Sequence, residues 1–415
     1  MPTTGADTSP GLVVEFDVYD PTLTIPEDRM QARAAELAEI GPLVYTEAHG
    51  GHWVVTHFDE VHRILNDPET FSSYPNNLVD AGQGKFLPLE LDPPEHTAFR
   101  NVLQPMFNPS RMAAVEDEVR QIVNDLIDTF IERGECEFVA EFAHELPARV
   151  FLALMGWPLE DAPLFSECTQ AALMGKPGGT EEESAAVRAE AAGKMFAYFG
   201  KLIHENRGKP IDEHADVTAV VVNTPLELDG EERLPTDEEL CRLLFLTLIA
   251  GLHTTKGSLA WGVMHLAQDP DARQAVIDDP ELLSAAVEEI LRIEAAVAPG
   301  RSCTKDVELG GVQLKAGDQL LLMLCSANRD AGHFADPDSM KFDRLLNNHL
   351  SFGGGRHRCI GRHLARREMR IAFEEIHRRM PDYRLSAEQP PMFHPSQTRG
   401  ALVMPITFTP GQKEG

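Results

Sequence analysis

The stretch Phe352-Gly353-Gly354-Gly355-Arg356-His357-Arg358-Cys359-Ile360-Gly361 puts a cysteine between a glycine-rich loop and a helix. The helix is read from Leu364, Ala365, Met369, Ala372, Phe373, Ile376 and Met380, apolar at three- and four-residue spacing. A sulfur at a helix N-terminus meets unpaired amides and the positive dipole end, so a thiolate is expected at Cys359. Gly353, Gly354, Gly355 and Gly361 clear side chains from either side of it, which lets a flat, bulky ligand approach the backbone. A lone cysteine after glycines is more often a small buried hydrophobe. Here the order of several residue types, each with a job, weighs against that.

Two other constellations could carry chemistry, and a third is an ion pair. In Leu91-Asp92-Pro93-Pro94-Glu95-His96-Thr97-Ala98-Phe99-Arg100, Asp92 can cap a helix and Pro93 can start it. His96 and Arg100 then share one face, one turn apart, spaced to grip a carboxylate. From Leu240 to Leu266 the pattern is helical and, at Leu243-Leu244-Phe245-Leu246 and Leu248-Ile249, apolar on nearly all sides, so this helix should run through the interior. Its Ala250-Gly251-Leu252-His253-Thr254-Thr255 combines small residues with hydroxyls, suited to close approach of a ligand or to plain helix packing. Thr254 can bond back to the carbonyl of Ala250. Glu289 and Arg292 form an i, i+3 pair on a third helix.

The cysteine stretch resembles the haem-binding loop of the cytochromes P450, matching its pattern at Phe352, Gly353, Gly355, His357, Cys359 and Gly361. The resemblance implies haem b (iron protoporphyrin IX), with Cys359 as iron ligand, His357 on a haem propionate and Phe352 beside the sulfur. It implies that His96, Arg100 and Arg301 also hold propionates, and that Ala250, Gly251 and Thr254 form the oxygen-binding part of the central helix. Glu289 and Arg292 match the family's Glu-x-x-Arg motif, with Arg344 of Phe342-Asp343-Arg344 as third member, a folding device rather than chemistry. One position departs: His253 stands where the family carries an acid that works with the threonine in proton delivery. A histidine titrates near neutrality and can shuttle protons itself, or it can turn away and leave the work to water.

The elements around these motifs follow in order. Trp53-Val54-Val55-Thr56 reads as a strand and Phe58 to Leu65 as a helix. Periodicity fails from Phe71 to Pro88, a long loop marked by Tyr74-Pro75-Asn76-Asn77 and Gly82-Gln83-Gly84, which in the family caps the substrate pocket. Phe86 and Leu87, with Leu89, are candidate pocket lining there, joined by Leu246 and Ile249 on the central helix, Val297 before Arg301, and Gln397 and Thr398 near the C-terminus. Helices are expected at 111–133 and 141–155, with a break at Gly175-Lys176-Pro177-Gly178-Gly179 before another helix at 181–206. Val307 to Leu314 reads as a hairpin turning at Gly310-Gly311, residues 319–324 continue the sheet, and 401–406 is a strand.

Composition bounds the rest. The 415 residues contain no linker-like run and no repeat, so one domain over 1–415, two lobes around the haem, is expected. Six cysteines lie scattered without CxxC pairing, against zinc or a disulfide framework and in favour of a reducing compartment. The first 21 residues lack a signal peptide's apolar centre, and no stretch approaches a membrane span, so a cytoplasmic protein is expected. A net charge of -29 argues against nucleic acid. Against it, Arg356, Arg358, Arg362, Arg366, Arg367 and Arg370 cluster around the cysteine. Singly they can pair with Glu368 and Glu374 on a solvated helix face, but as a group they favour docking of an acidic partner.

Together these readings give a mainly α protein with a small β-rich part, the cytochrome P450 fold. The expected function is a haem-thiolate monooxygenase that oxidises a small to medium apolar substrate, such as a terpenoid or an aromatic, with dioxygen. Its two electrons would come from a ferredoxin with its reductase, docking near Arg356, Arg358 and Arg362. Two alternatives stay open: a peroxide-using or non-oxygenating haem-thiolate enzyme, motivated by the missing acid, and a non-catalytic haem sensor or ligand carrier.

Overall fold

The computed structural model describes residues 12–25, 27–79, 84–107, 109–176, 179–211 and 217–415. The first eleven residues, Gly82 and Gln83 of the long loop, and Pro177 and Gly178 of the helix break lie outside the described residues. The chain is mainly helical with a smaller β part, as the sequence patterns imply.

Asp237–Gln268 is the axis of the helical part. Thr236 starts it with a capping box, its hydroxyl accepting from Glu239 N–H while the Glu239 carboxylate accepts from Thr236 N–H at 2.8 Å. By length and composition this helix could cross a membrane, contrary to the expectation that no stretch approaches a span, but 67% of its most apolar window is buried inside the protein. It is a core helix. The helix Arg362–Arg379, which follows the cysteine, crosses it at Gly262, where an added Cβ would stand 2.3 Å from the Phe373 ring.

Two hydrophobic cores result. One collects the apolar faces of the helices, including Glu116–Asp128, Glu145–Met155, Leu283–Ile293 and Arg362–Arg379, around the central helix. The other lies under a five-stranded sheet ordered Leu43–Thr46, His52–Val55, Gln319–Leu322, Gly300–Cys303, Phe71–Ser72. Only the second and third of these strands pair in parallel. The hairpin Val307–Leu309 and Val312–Leu314 forms as expected at Gly310-Gly311, but as a separate two-stranded sheet.

Several boundaries differ from the sequence reading. The strand after the hairpin stops at Leu322, and Leu324 begins a short helix instead. The C-terminal strand splits at Met404, whose N–H goes to the Glu137 carboxylate and whose carbonyl accepts from Phe138 N–H. Gly400–Val403 and Pro405–Thr407 therefore join different sheets. Asp92 does not cap the helix Glu95–Leu103. Its carboxylate is taken by the Ser72 hydroxyl and the Ser73 N–H, and the helix begins at Glu95 without a side-chain cap.

A buried polar node ties Leu283–Ile293 to the segment leading to the cysteine loop. Arg292 donates to both oxygens of Glu289 at 2.8 and 2.9 Å and to the carbonyls of Asn328, Pro337 and Ser339. Glu289 also accepts from Arg344 Nε, Lys341 N–H and Asn347 Nδ2, each at 2.9 Å. Neither side chain of the pair is more than 1% exposed.

Candidate active site

The cysteine loop is held by its own backbone. Cys359 N–H donates to Phe352 O at 2.8 Å and Gly353 N–H to Leu350 O at 2.7 Å, folding the loop back to the foot of Arg362–Arg379. Gly353 and Gly355 take left-handed φ of 67° and 57°. At Gly355 a Cβ would stand 2.4 Å from the Leu65 carbonyl, whereas at Gly353 its nearest neighbour would be 3.9 Å away. Both substitutions to alanine therefore carry the left-handed strain of about 1–2 kcal/mol, but Gly355→Ala adds a backbone clash. We expect Gly355→Ala to lower the thermal midpoint and cofactor retention more than Gly353→Ala, as read by calorimetry and absorbance. Equal shifts would mean that approach to Leu65 does not shape the loop.

Around the loop the structure gathers basic side chains. The rings of His96 and His357 lie 3.9 Å apart, and Arg100 Nη2 donates to Arg358 O at 2.7 Å. Arg301, 4% exposed on its strand, donates only to the neighbouring Gly300 carbonyl. Burial, then Arg100 and Arg356, hold His96 down at about 4, and burial, then His96 and Arg301, hold His357 down at about 2. Burial lowers Arg301 to about 10, with Asp92 the one carboxylate acting against it. The Nδ1 of His96 is buried without a partner. Ser73, 284 residues away, meets His357 Nε2 at 3.0 Å. No sequence pattern marks a contact so distant.

The thiol behaves differently from the helix-end argument. Burial pushes Cys359 above its usual value, and the Gly361 N–H with Arg100, Arg362 and Arg366 only opposes that. Sulfur held in such surroundings becomes a thiolate when a cation binds it. The donor set thus suits a metal on the sulfur and an anion on the arginines and histidines. A Cβ on Gly361 would meet no atom within 4 Å, so the backbone beside the sulfur is bare. These features fit an iron porphyrin bearing two carboxylates.

On the central helix, Leu243, Leu244, Phe245, Leu248 and Leu252 are buried, but Ala250 is exposed and Leu246, Ile249, Gly251 and Thr254 are intermediate. A stripe left partly exposed in the middle of a core helix is a surface that a ligand can reach. Thr254 Oγ1 donates to Ala250 O at 2.8 Å, as its spacing predicts. Gly251 has a packing explanation, since its Cβ would stand 3.4 Å from the Phe151 ring. His253 is buried, 6.4 Å ring to ring from His144, with Nε2 unpartnered. Burial, then Lys256, His144 and His394, push it well below the usual imidazole range. It does not titrate near neutrality as expected from its type alone.

Of the pocket candidates, Phe86 stacks on Phe245 at 6.3 Å, and Val297 bridges to Thr398 across a single ladder rung. Leu87 is buried in the core at 7% exposure. The Gln397 amide is spent elsewhere: it accepts from Tyr19 OH and Leu78 N–H and donates to Asn76 O and Ala298 O, clasping the long loop to the sheet. Glu90, missed in the sequence, closes the same loop by accepting from Asn76 N–H and Phe86 N–H at 2.8 Å. Its four-residue spacing from Phe86 was the available signal.

The arginine cluster divides. Arg366 binds Glu288, Arg367 binds Glu116, and Arg370 binds Glu116 and Glu374. Among the described residues Arg356, Arg358 and Arg362 have no ion pair, and Arg356 and Arg358 are exposed. Glu368 pairs with none of them. It is buried with Oε2 unpartnered, and burial raises it well above the carboxylate range.

Comparison with known proteins agrees with this geometry. The cytochrome P450 family model matches residues 183–407. The methyl-branched lipid omega-hydroxylase of Mycobacterium tuberculosis is 33% identical over 374 residues, 87% of this chain and 85% of that protein. Mycinamicin IV hydroxylase/epoxidase of Micromonospora griseorubida is 31% identical over 393 residues, 91% of this chain and 96% of that protein. The crystal structure of CYP101J2 superposes with a TM-score of 0.86 at 28% identity, covering 98% of this chain and 100% of that one. With its cysteine loop, basic cluster and central helix in place, the chain belongs to the cytochrome P450 family, an oxidoreductase whose cofactor is haem b.

Proposed function

We propose that the protein is a monooxygenase that hydroxylates, or otherwise oxidises, a small to medium apolar substrate, using dioxygen and two electrons delivered by a ferredoxin. The observation that carries this reading is the Cys359 sulfur set at a bare backbone face beside four basic side chains, His96, His357, Arg100 and Arg301, that find one nearby carboxylate among them. In this reading Cys359 ligates the iron and the four basic groups hold the propionates. Thiolate-ligated haem supplies the oxidising chemistry, the sulfur pushing electron density toward iron and favouring O–O cleavage.

The chain's own residues supply position and protons. Phe86, Leu246, Ile249, Val297 and Thr398 keep partial exposure beside the helical core and offer a mainly apolar surface to substrate. The Thr254 hydrogen is already committed to Ala250 O, so its oxygen first serves as acceptor for a water, and donates only after releasing that carbonyl. Three of the six cluster arginines are free to meet an acidic donor. The six unpaired thiols suit an intracellular setting.

Titrating the haem-loaded protein with small apolar compounds tests the reading. A shift of the iron's spin state, followed by product formation with dioxygen and a reduced ferredoxin, is expected. Binding without oxygen consumption would sink it. A peroxide-using mode is favoured by one observation, the neutral, buried His253 in place of an acid. If proton delivery is thereby weakened, His253→Asp should raise the product-forming rate roughly tenfold, at or below the low end of what a placed proton donor supplies, and lower peroxide per electron pair. An unchanged peroxide-to-product ratio would show that residue 253 plays no part.

A further inference from the structure

Leu345 and Leu346 are 99% and 76% exposed, while no other large apolar side chain among the described residues exceeds 48%. They do not dangle. Arg344 before them and Asn347 after them both hydrogen-bond the buried Glu289 carboxylate at 2.9 Å, and Arg344 also donates to the carbonyls of Ala335, Asp336 and Ser339. The two leucines thus form an apolar tip on a loop pinned at both flanks.

The flank of the tip is tied to the cysteine loop. His349, two residues past Asn347, shares Glu288 with Arg366, and the Arg366 guanidinium lies 4.4 Å over the Phe352 ring. Arg366 follows Arg362 by one helical turn, so these contacts run from the flank of the tip to the loop and helix end where, among the described residues, Arg356, Arg358 and Arg362 lack ion pairs. A net charge of -29 repels an acidic partner in general, and unpaired arginines oppose that repulsion locally, so the face that carries them is suited to receive one.

We propose that Leu345 and Leu346 form the apolar anchor by which an acidic ferredoxin is held on this face, with the unpaired arginines steering it there. The inference rests on the ferredoxin reading above and deepens it. Long-range charge raises the encounter rate, whereas a small buried apolar contact sets how long the complex lasts. Because the tip is already fixed, little ordering entropy is lost when a partner covers it.

The test titrates the haem-loaded protein with an acidic two-iron, two-sulfur ferredoxin over a range of salt, for the wild type, the Leu345→Ser/Leu346→Ser double variant and Arg358→Glu. Near-native circular dichroism and an unaltered carbon monoxide spectrum confirm that each variant is intact. The double variant is expected to bind about tenfold more weakly at every salt concentration with the salt slope unchanged. Arg358→Glu should lose most at low salt and flatten the slope. If Arg358→Glu weakens binding and the double variant does not, docking stands and the anchor is wrong. If neither variant moves the Kd, the docking reading itself fails. A wild-type dimer in sedimentation that the double variant dissolves would assign the tip to a second copy of this chain, overturning the proposal.

Discussion

Cys359→Ser is expected to abolish the red-shifted Soret band that thiolate ligation would give the reduced, carbon monoxide-bound protein, and to cut monooxygenase turnover roughly a thousandfold or more, at least about 4 kcal/mol of transition-state stabilisation. The substitution changes one atom, and the loop that carries it stays held by Cys359 N–H to Phe352 O and Gly353 N–H to Leu350 O, bonds that do not use the sulfur. What changes is the donor. Burial already resists a charge on the thiol, and a serine hydroxyl, far less acidic, resists it further. Electron density that a thiolate would push to iron is then missing. Absorbance of the purified, reduced variant and product analysis read the two effects separately. A variant that keeps the red-shifted band would remove Cys359 from the iron and, with it, the assignment of the site.

Glu289→Gln is expected to cost about 3–5 kcal/mol, the usual range for breaking a fully buried ion pair, seen as a lower denaturation midpoint with cofactor loss. Glu289 accepts from Arg292, Arg344, Lys341 N–H and Asn347 at once. An amide retains the shape but loses the charge and turns a donor toward donors. The pH dependence adds a sign. Burial alone would raise the Glu289 carboxyl, but the hydrogen bonds from Arg292, Lys341 N–H and Arg344 outweigh it and leave it lowered. A carboxyl lower in the folded than in the unfolded chain stabilises fully above its unfolded pKa, and that stabilisation is lost as pH falls through the folded value. Wild type and variant should therefore differ most near neutral pH and converge in acid. Parallel pH profiles would place the node's stability elsewhere.

The sequence alone determined the parts whose signal is local. The order Phe, Gly, Gly, His, Cys, Gly from 352 to 361 is legible because loop, ligand and helix foot are contiguous, and so is the back-bond of Thr254 to Ala250, one helical turn apart. The central helix was readable as an interior one from its all-round apolar run, and the helix at 181–206 from the glycine break before it. His253 was visible as a departure from the family's acid.

What the tertiary structure decided is everything that depends on desolvation and on distant partners. A histidine's type predicts titration near neutrality, but burial beside Lys256, His144 and His394 leaves His253 neutral. A thiol at a helix end is predicted ionised, but the enclosure of Cys359 raises it. Six arginines in one stretch look alike in sequence, yet Glu116 and Glu288, brought in from two other places in the chain, and Glu374, one turn on from Arg370, pair with three and, among the described residues, leave three without an ion pair. Gln397 was assigned to the pocket by its neighbourhood and is used up as a clasp on Tyr19, Asn76, Leu78 and Ala298. Spacing encodes which groups share a turn of helix, whereas charge state and free hydrogen-bonding capacity are set by how much water and which remote side chains the fold leaves beside them.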